Sequence, residues 1–248
     1  MGEATVREGP TKIICRMELG FSMLSASCRN IPGLILMNTK TIADLEHELG
    51  DADGLIIYNG LYTADVAAAV RRHGRNLKWI QFATAGIDNV ERHGVPEASV
   101  ICNAGDVWAP TVAEHAMALL LGLTRNVHIF ERTRETEPWS REVLGGGLFS
   151  LQASTVVIVG LGAIGSEVAI RAKAFGARIV GITRRQRYIP GIDEVVPSDR
   201  LMDALAEADV VVLTLPLTPE TRHLINHDTL AAMKPSAILI NVSRGDIV

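Results

Sequence analysis

Aromatic residues make up only 4% of this 248-residue chain, although 48% of it is hydrophobic. The apolar content is therefore mostly aliphatic, which suits helices packed in layers on a parallel sheet. Cysteine is scarce too. Cys15, Cys28 and Cys102 are an odd number without the paired spacing of a zinc site, so a disulfide scaffold and a structural metal are excluded. We expect three buried thiols in a reducing compartment. Basic excess is absent: the net charge of −4 argues against non-specific nucleic-acid binding. No apolar run approaches the roughly 20 residues needed to span a bilayer. The opening MGEATVREGPTK has no secretory apolar core, and Val6 stands where a myristoylation signal needs Ser or Thr. These absences together lead us to expect a soluble cytoplasmic protein.

What the chain does have centres on Ser154–Arg185, STVVIVGLGAIGSEVAIRAKAFGARIVGITRR. The β-branched run Val156–Val159 reads as a buried strand, Ile164–Phe175 as a helix closed by Gly176, and Arg178–Ile182 as the next strand. Between the first strand and the helix lie Gly160, Gly162 and Gly165, spaced G-x-G-x-x-G. In that setting the pattern is a dinucleotide fingerprint. Its glycines allow, in turn, a tight bend, backbone approach to a pyrophosphate and close helix–strand packing. The helix N-terminus offers free N–H groups and partial positive charge to the phosphates. An acid that bonds the ribose 2′-OH of NAD is expected about 20 residues on. Thr183 stands there instead, followed by Arg184 and Arg185, so no acid repels a 2′-phosphate and two guanidiniums can pair with it. The expectation is NADP(H) in preference to NAD(H).

The rest of the chain alternates strand and helix. Strands are expected at Lys12–Cys15, Leu34–Met37, Leu55–Tyr58, Leu77–Gln81, Val100–Cys102, Asp209–Leu215 and Ala237–Asn241. Helices are expected at Met17–Ser27, Thr41–Leu49, Thr63–Arg72, Asp199–Ala206 and His227–Met233, with Thr218-Pro219 starting another turn. Ala109–Arg134 reads as one long helix, opened by Pro110 and a Thr111–Glu114 capping box and apolar around much of its girth, hence buried between domains or subunits. Glu131–Arg141 is charged and Gly145–Gly147 is a flexible connector. Ligands of open α/β sheets bind beyond the carboxyl ends of the strands, which puts Arg244 where a reacting group would sit.

The segments ATAGIDNV (Ala83–Val90), TVAEHAMALLL (Thr111–Leu121), VVIVGLGAIG (Val156–Gly165), LPLTPETRHLIN (Leu215–Asn226) and ILINVSRGDIV (Ile238–Val248) come in a fixed order. From about Asp53 onward the chain resembles the D-isomer-specific 2-hydroxyacid dehydrogenase family, which includes glyoxylate/hydroxypyruvate reductases and phosphoglycerate dehydrogenases. The resemblance implies an α/β fold of two Rossmann-like domains. A smaller flavodoxin-like substrate domain would occupy residues 1–108, a linker helix and connector 109–153, and a doubly wound NAD(P)-binding domain lacking its last elements 154–248.

It also implies hydride transfer between nicotinamide C4 and C2 of a 2-oxo or 2-hydroxy acid. Arg244 would be catalytic, holding the carboxylate and polarising the carbonyl. Backbone amides around Asn59-Gly60 and Thr84-Ala85-Gly86 would bind the carboxylate. Leu161, Gly162, Ala163 and Ile164 would cradle the pyrophosphate, Leu215, Pro216 and Thr221 would line the nucleotide cleft, and Val242 and Ser243 would lie under the nicotinamide. In the family a catalytic Glu and His follow the Arg, and these residues do not contain them. A C-terminally incomplete chain with a reduction rate lower by about 10²–10⁴ is therefore expected. Glu114 reads as a capping carboxylate, His115 as a satisfied structural residue, and His223 and His227 as surface residues. The apolar edge at Ala237–Asn241 and the buried helix suggest a homodimer or poor solubility. The competing readings are a non-catalytic NAD(P)-binding sensor or corepressor-like protein on the same fold, and an adenosylhomocysteinase-like hydrolase, whose substrate-domain residues are not recognisable here.

Overall fold

The computed structural model describes residues 9–136, 147–184 and 189–248. The chain divides into two compact units, Met1–Val107 and Trp108–Val248. In the first, five short strands form one parallel sheet in the order β2-β1-β3-β4-β5. They are β1 (Thr11–Arg16), β2 (Leu34–Asn38), β3 (Gly54–Ile57), β4 (Trp79–Phe82) and β5 (Val100–Cys102). Between them run α1 (Phe21–Cys28), α2 (Ile42–Leu49), α3 (Ala64–His73) and α4 (Asp88–His93). α4 falls where the sequence suggested no element.

Threonines open two of these helices. Thr41 Oγ1 accepts the Asp44 N–H at 3.1 Å while the Asp44 carboxylate accepts the Thr41 N–H at 3.0 Å, and Thr63 caps α3. Ile14, Leu55, Ile57, Ile80 and Phe82 of the sheet pack with Leu45, Leu49, Val66 and Val70 of α2 and α3. Each such side chain contributes about 1.5–3 kcal/mol by leaving water. Tyr62 sets its ring edge-to-face on Phe82 at 5.3 Å, and its hydroxyl donates to the Gly94 carbonyl at 2.9 Å. Burial pushes the Tyr62 phenol up to about 12.

The cysteines are not all buried as expected. Cys15 is, and burial raises its thiol to about 11, but Cys28 is half-buried and Cys102 is exposed. Cys102 ends β5, an edge strand, where half of the strand's side chains face outward.

The second unit opens with α5 (Ala109–Thr124) and α6 (Val127–Thr133), two helices where one was expected. Asn126 separates them at φ 54, the left-handed region that Asn tolerates better than most residues. Its carbonyl accepts the Ile129 and Phe130 N–H groups and starts α6 anew. The expected Thr111–Glu114 capping box is not formed. α5 begins at Ala109, ahead of Pro110, so Thr111 is already helical, and Glu114 instead lies 3.6 Å from Arg171. Nor is α5 buried all round: Ala113, Met117 and Leu120 are covered, but Leu119 and Leu123 are exposed. His115, expected to be a satisfied structural residue, is exposed on this helix. The end of the charged stretch, from Glu137 to Arg141, and Gly145 and Gly146 of the connector lie outside the described residues.

A second parallel sheet follows in the order β10-β9-β6-β7-β8. It comprises β6 (Thr155–Val159), β7 (Arg178–Thr183), β8 (Glu194–Pro197), β9 (Val210–Leu213) and β10 (Ile238–Asn241). β8 is a strand that the sequence did not suggest. Successive side chains alternate between two cores. Val156, Ile158, Ile179, Val210 and Val212 face α5 and α7 (Ala163–Ala174). Val157, Val159, Ile182, Val211 and Leu213 face α8 (Leu201–Glu207), Ile225 and Ile247. A sheet covered on both faces explains why its strands read as unbroken apolar runs.

The turn expected to start at Thr218-Pro219 is present. Thr221 Oγ1 accepts the Thr218 N–H and donates to the Pro216 carbonyl, each at 2.7 Å, which ties the segment off before a helix propagates. α9 (His227–Ala232) is capped by Asn226, which accepts from the Asp228 and Thr229 N–H groups.

Candidate functional site

β6 lies between β7 and β9, so the chain leaves it to opposite sides in successive crossovers, and a crevice opens at the carboxyl ends of β6 and β9. The fingerprint glycines occupy that crevice in three different environments. Gly160 ends β6 at φ +103, in the left-handed region. At Gly165 a Cβ would stand 2.0 Å from the Gly160 carbonyl oxygen and 2.8 Å from Thr214 Oγ1, so only hydrogen fits where α7 crosses the strand end. At Gly162 a Cβ would meet nothing within 4 Å: the backbone there faces open space.

Gly162 is the N-cap of α7, and no side chain caps this terminus. The first N–H groups of an α-helix have no partner within it. Ala163 and Ile164 therefore present donors and the positive end of the helix dipole above an unobstructed glycine. Leu161 is buried behind this turn, and Thr214 Oγ1 donates to the Gly160 carbonyl at 2.5 Å and holds the turn to the end of β9.

Beside the turn is a cavity of about 360 Å³. Thr183, Arg184, Leu215, Pro216 and Thr221, all expected at a nucleotide, line it together with Val159, Ile182 and Leu224. Arg185 lies outside the described residues. The cavity also contains Asp199 and Glu220, which corrects the expectation that no acid opposes a 2′-phosphate: both come from segments remote from the β7 end. Thr218 and the residue's own backbone N–H hold the Glu220 carboxyl below its ordinary range, and the positive charge of Arg184 adds to this.

At the end of β10, the Asn241 carboxamide shapes the loop. Its Oδ1 accepts the Ser243 N–H and its Nδ2 donates to the Arg244 carbonyl, both at 2.9 Å. Val242 packs against the core and its N–H donates to the Leu213 carbonyl at 3.3 Å, which sets this loop beside the end of β9. Ser243 Oγ is buried without a hydrogen-bond partner among the described residues. A buried hydroxyl in that state points to an external partner. Arg244 is half-buried and its Nη1 donates to the Ser243 carbonyl at 3.1 Å.

In the first unit, Asn59 and Gly60 lie in a 3₁₀ turn, Asn59–Leu61, after β3. The Asn59 N–H is already engaged, donating to Thr84 Oγ1 at 3.4 Å, and so is not free for a ligand as expected. The Thr84 hydroxyl donates to the Gly86 carbonyl at 2.9 Å. The backbone N–H groups of Thr84, Ala85 and Gly86 donate no hydrogen bond among the described residues. Such unengaged backbone donors are available to an anion. His223 and His227 are exposed. Among the described residues no group of three or more His, Cys, Asp or Glu side chains could hold a metal ion, and no helix is long and apolar enough to cross a membrane.

The sequence profile described as "D-isomer specific 2-hydroxyacid dehydrogenase, NAD binding domain" matches residues 117–248. A D-3-phosphoglycerate dehydrogenase of Methanocaldococcus jannaschii is 34% identical over 215 residues, covering 84% of this chain and 39% of that protein. A hydroxypyruvate reductase of Thermotoga maritima is 35% identical over 187 residues, covering 75% of this chain and 58% of that protein. The chain thus spans less than two thirds of either relative. Among solved structures, a D-isomer specific 2-hydroxyacid dehydrogenase family protein from Aeromonas salmonicida superimposes with a TM-score of 0.84 at 26% identity, over 96% of this chain and 74% of that one.

Proposed function

The chain belongs to the D-isomer specific 2-hydroxyacid dehydrogenase family, and from that premise we propose that it binds a nicotinamide dinucleotide and serves hydride transfer to or from a 2-oxo/2-hydroxy acid. The observation that carries this reading is the uncapped N-terminus of α7 above open space at Gly162, next to the cavity of about 360 Å³. These residues fit the group: donors and dipole for a pyrophosphate, aliphatic walls for an adenosine, and the orphaned Ser243 hydroxyl for a polar edge of the nicotinamide.

When bound, the dinucleotide supplies a hydride donor or acceptor at nicotinamide C4. The rest falls to the chain's own residues. Ala163 and Ile164 N–H groups hold phosphate oxygens. Arg184 pairs with a 2′-phosphate, which with Thr183 at the β7 end favours NADP(H), while Asp199 and Glu220 oppose it. Arg244 grips the substrate carboxylate and stabilises the oxygen on which charge develops, as fixed cationic donors do. In the first unit, taken by itself, the free N–H groups of Thr84, Ala85 and Gly86 offer donors to an anion.

In this reading Met1–Val107 is a flavodoxin-like substrate domain, the Rossmann domain follows it, and the exposed Leu119, Leu123, Val127 and Phe130 of α5 and α6 are covered in a homodimer of a cytoplasmic enzyme. Titration of the 248-residue chain with NADPH and NADH tests the reading. Saturable binding of both, tighter for NADPH, is expected; no binding of either at millimolar concentration overturns it.

A further inference from the structure

We propose that Asn103 is a positioning residue for the substrate carboxylate: by holding the Ala85 carbonyl it keeps the Gly86 N–H, beside that of Ala85, turned toward the anion. The inference rests on the reading that the loop Thr84–Gly86 takes the carboxylate of a 2-oxo or 2-hydroxy acid.

The loop follows β4, and Asn103 follows β5, the parallel strand paired with it, so both lie beyond the carboxyl ends of neighbouring strands. The loop uses its carbonyls and its N–H groups very differently. All three carbonyls are engaged: that of Thr84 accepts the Ala104 N–H at 3.1 Å, that of Ala85 accepts from Asn103 Nδ2 at 2.9 Å, and that of Gly86 accepts from the Thr84 hydroxyl at 2.9 Å. The three N–H groups donate to nothing among the described residues.

Peptide planarity converts this asymmetry into direction. The carbonyl of one residue and the N–H of the next share a trans peptide plane and point to opposite sides of the chain. The Thr84 and Ala85 carbonyls are both held by one segment, Asn103-Ala104. The N–H groups of Ala85 and Gly86 therefore both point away from that segment, to the same side. Two neighbouring donors on one side suit the oxygens of a carboxylate.

The two holds differ in kind. Ala104 acts through its main chain, and Asn59 braces the start of the loop: its N–H donates to Thr84 Oγ1, and its Oδ1 accepts the Asn89 N–H at 3.1 Å. The peptide between Ala85 and Gly86 depends on a side chain alone. Flipping that peptide changes ψ at Ala85 and φ at Gly86, and glycine takes either sign of φ about equally readily. The flipped peptide would aim a carbonyl oxygen at the anion in place of an N–H. Asn103 opposes the flip, and its own carboxamide is oriented by accepting the Gly105 N–H at 3.0 Å. Asn103 is exposed, so replacing it leaves the packed core untouched.

The test uses NMR spectra of the whole chain, with pyruvate as the probe. Without ligand, the cross-peak between Ala85 Hα and the Gly86 N–H reports ψ at Ala85. It should change in N103A and also in N103D, which keeps an acceptor for the Gly105 N–H but has lost the donor to Ala85. Pyruvate should shift the parent's Ala85 and Gly86 amides saturably. N103A should weaken that binding by about threefold or more, as the fraction of unflipped loop falls, while the thermal midpoint stays near the parent's. An unchanged cross-peak in both variants overturns the positioning role, whatever happens to affinity. A changed cross-peak with parental pyruvate affinity in N103A overturns its link to binding, and leaves the carboxylate reading standing. Parent amides that ignore pyruvate refute the carboxylate reading, and the inference with it.

Discussion

Replacing Gly162 and Gly165 by alanine, one at a time, should separate binding from folding. At Gly165 the new methyl would start 2.0 Å from the Gly160 carbonyl oxygen, and both partners are backbone. Relief requires α7 to move by about an ångström away from β6, against the packing of Val168 and Ala172 in the core. Overpacking of this kind costs about 1–3 kcal/mol, and with no flexible side chain to yield, G165A belongs at the upper end. With a urea m-value of about 1–3 kcal/mol/M, the midpoint should fall by about 1 M or more.

Gly162 has φ −81, which alanine adopts freely, and its Cβ would touch nothing. Glycine is the better N-cap, but alanine restricts the unfolded chain more; the two effects oppose, at under about 1 kcal/mol each. G162A should therefore unfold near the parent's midpoint. It should nonetheless bind NADPH at least about tenfold more weakly, a loss of about 1.4 kcal/mol, because the methyl fills the space above the helix N-terminus. Urea unfolding by circular dichroism and calorimetric titration measure the two quantities. Parental affinity in G162A, or parental stability in G165A, would refute the reasoning.

The cavity charges make opposing predictions: R184A should weaken NADPH more than NADH, whereas E220Q should strengthen NADPH selectively, and equal effects on both cofactors would count against the 2′-phosphate reading. Asp209 is a second test. Burial alone would raise its carboxyl, but Lys234 at 2.7 Å and the Thr155 N–H at 2.8 Å hold it below its ordinary value. A depressed folded pKa contributes stability above the unfolded value near 3.9 that drains as pH falls through it. D209N should cost about 1–3 kcal/mol at pH 7, and its stability should fall less steeply between pH 5 and 3 than the parent's in urea melts. At Asn126, φ 54 predicts that N126V costs at least about 1–2 kcal/mol, measured by thermal unfolding, and parental stability in N126V would count against a strained backbone there.

Local chemistry was the legible part of the sequence. The fingerprint could be read because its glycines, strand and helix are contiguous, and the strands of the second sheet because burial on both faces leaves uninterrupted Val and Ile. β8 leaves little trace in the sequence because Glu194–Pro197 is short and carries a charge and a proline. The break between α5 and α6 had only one signal, an Asn amid helix formers. Gly181 does carry a signal: a Cβ there would stand 2.2 Å from Leu161 Cδ1, and a glycine inside a strand is a known mark of close approach. Asp199 and Glu220 could not be placed by spacing, since the sheet order, not the sequence distance, brings them to Arg184.

A crystal structure of the chain grown with NADPH tests the dinucleotide site most directly. The pyrophosphate should lie over Gly162 at the N-terminus of α7, with the adenosine beside Arg184 and Leu215. A dinucleotide bound elsewhere, or no density at saturating NADPH, would contradict it.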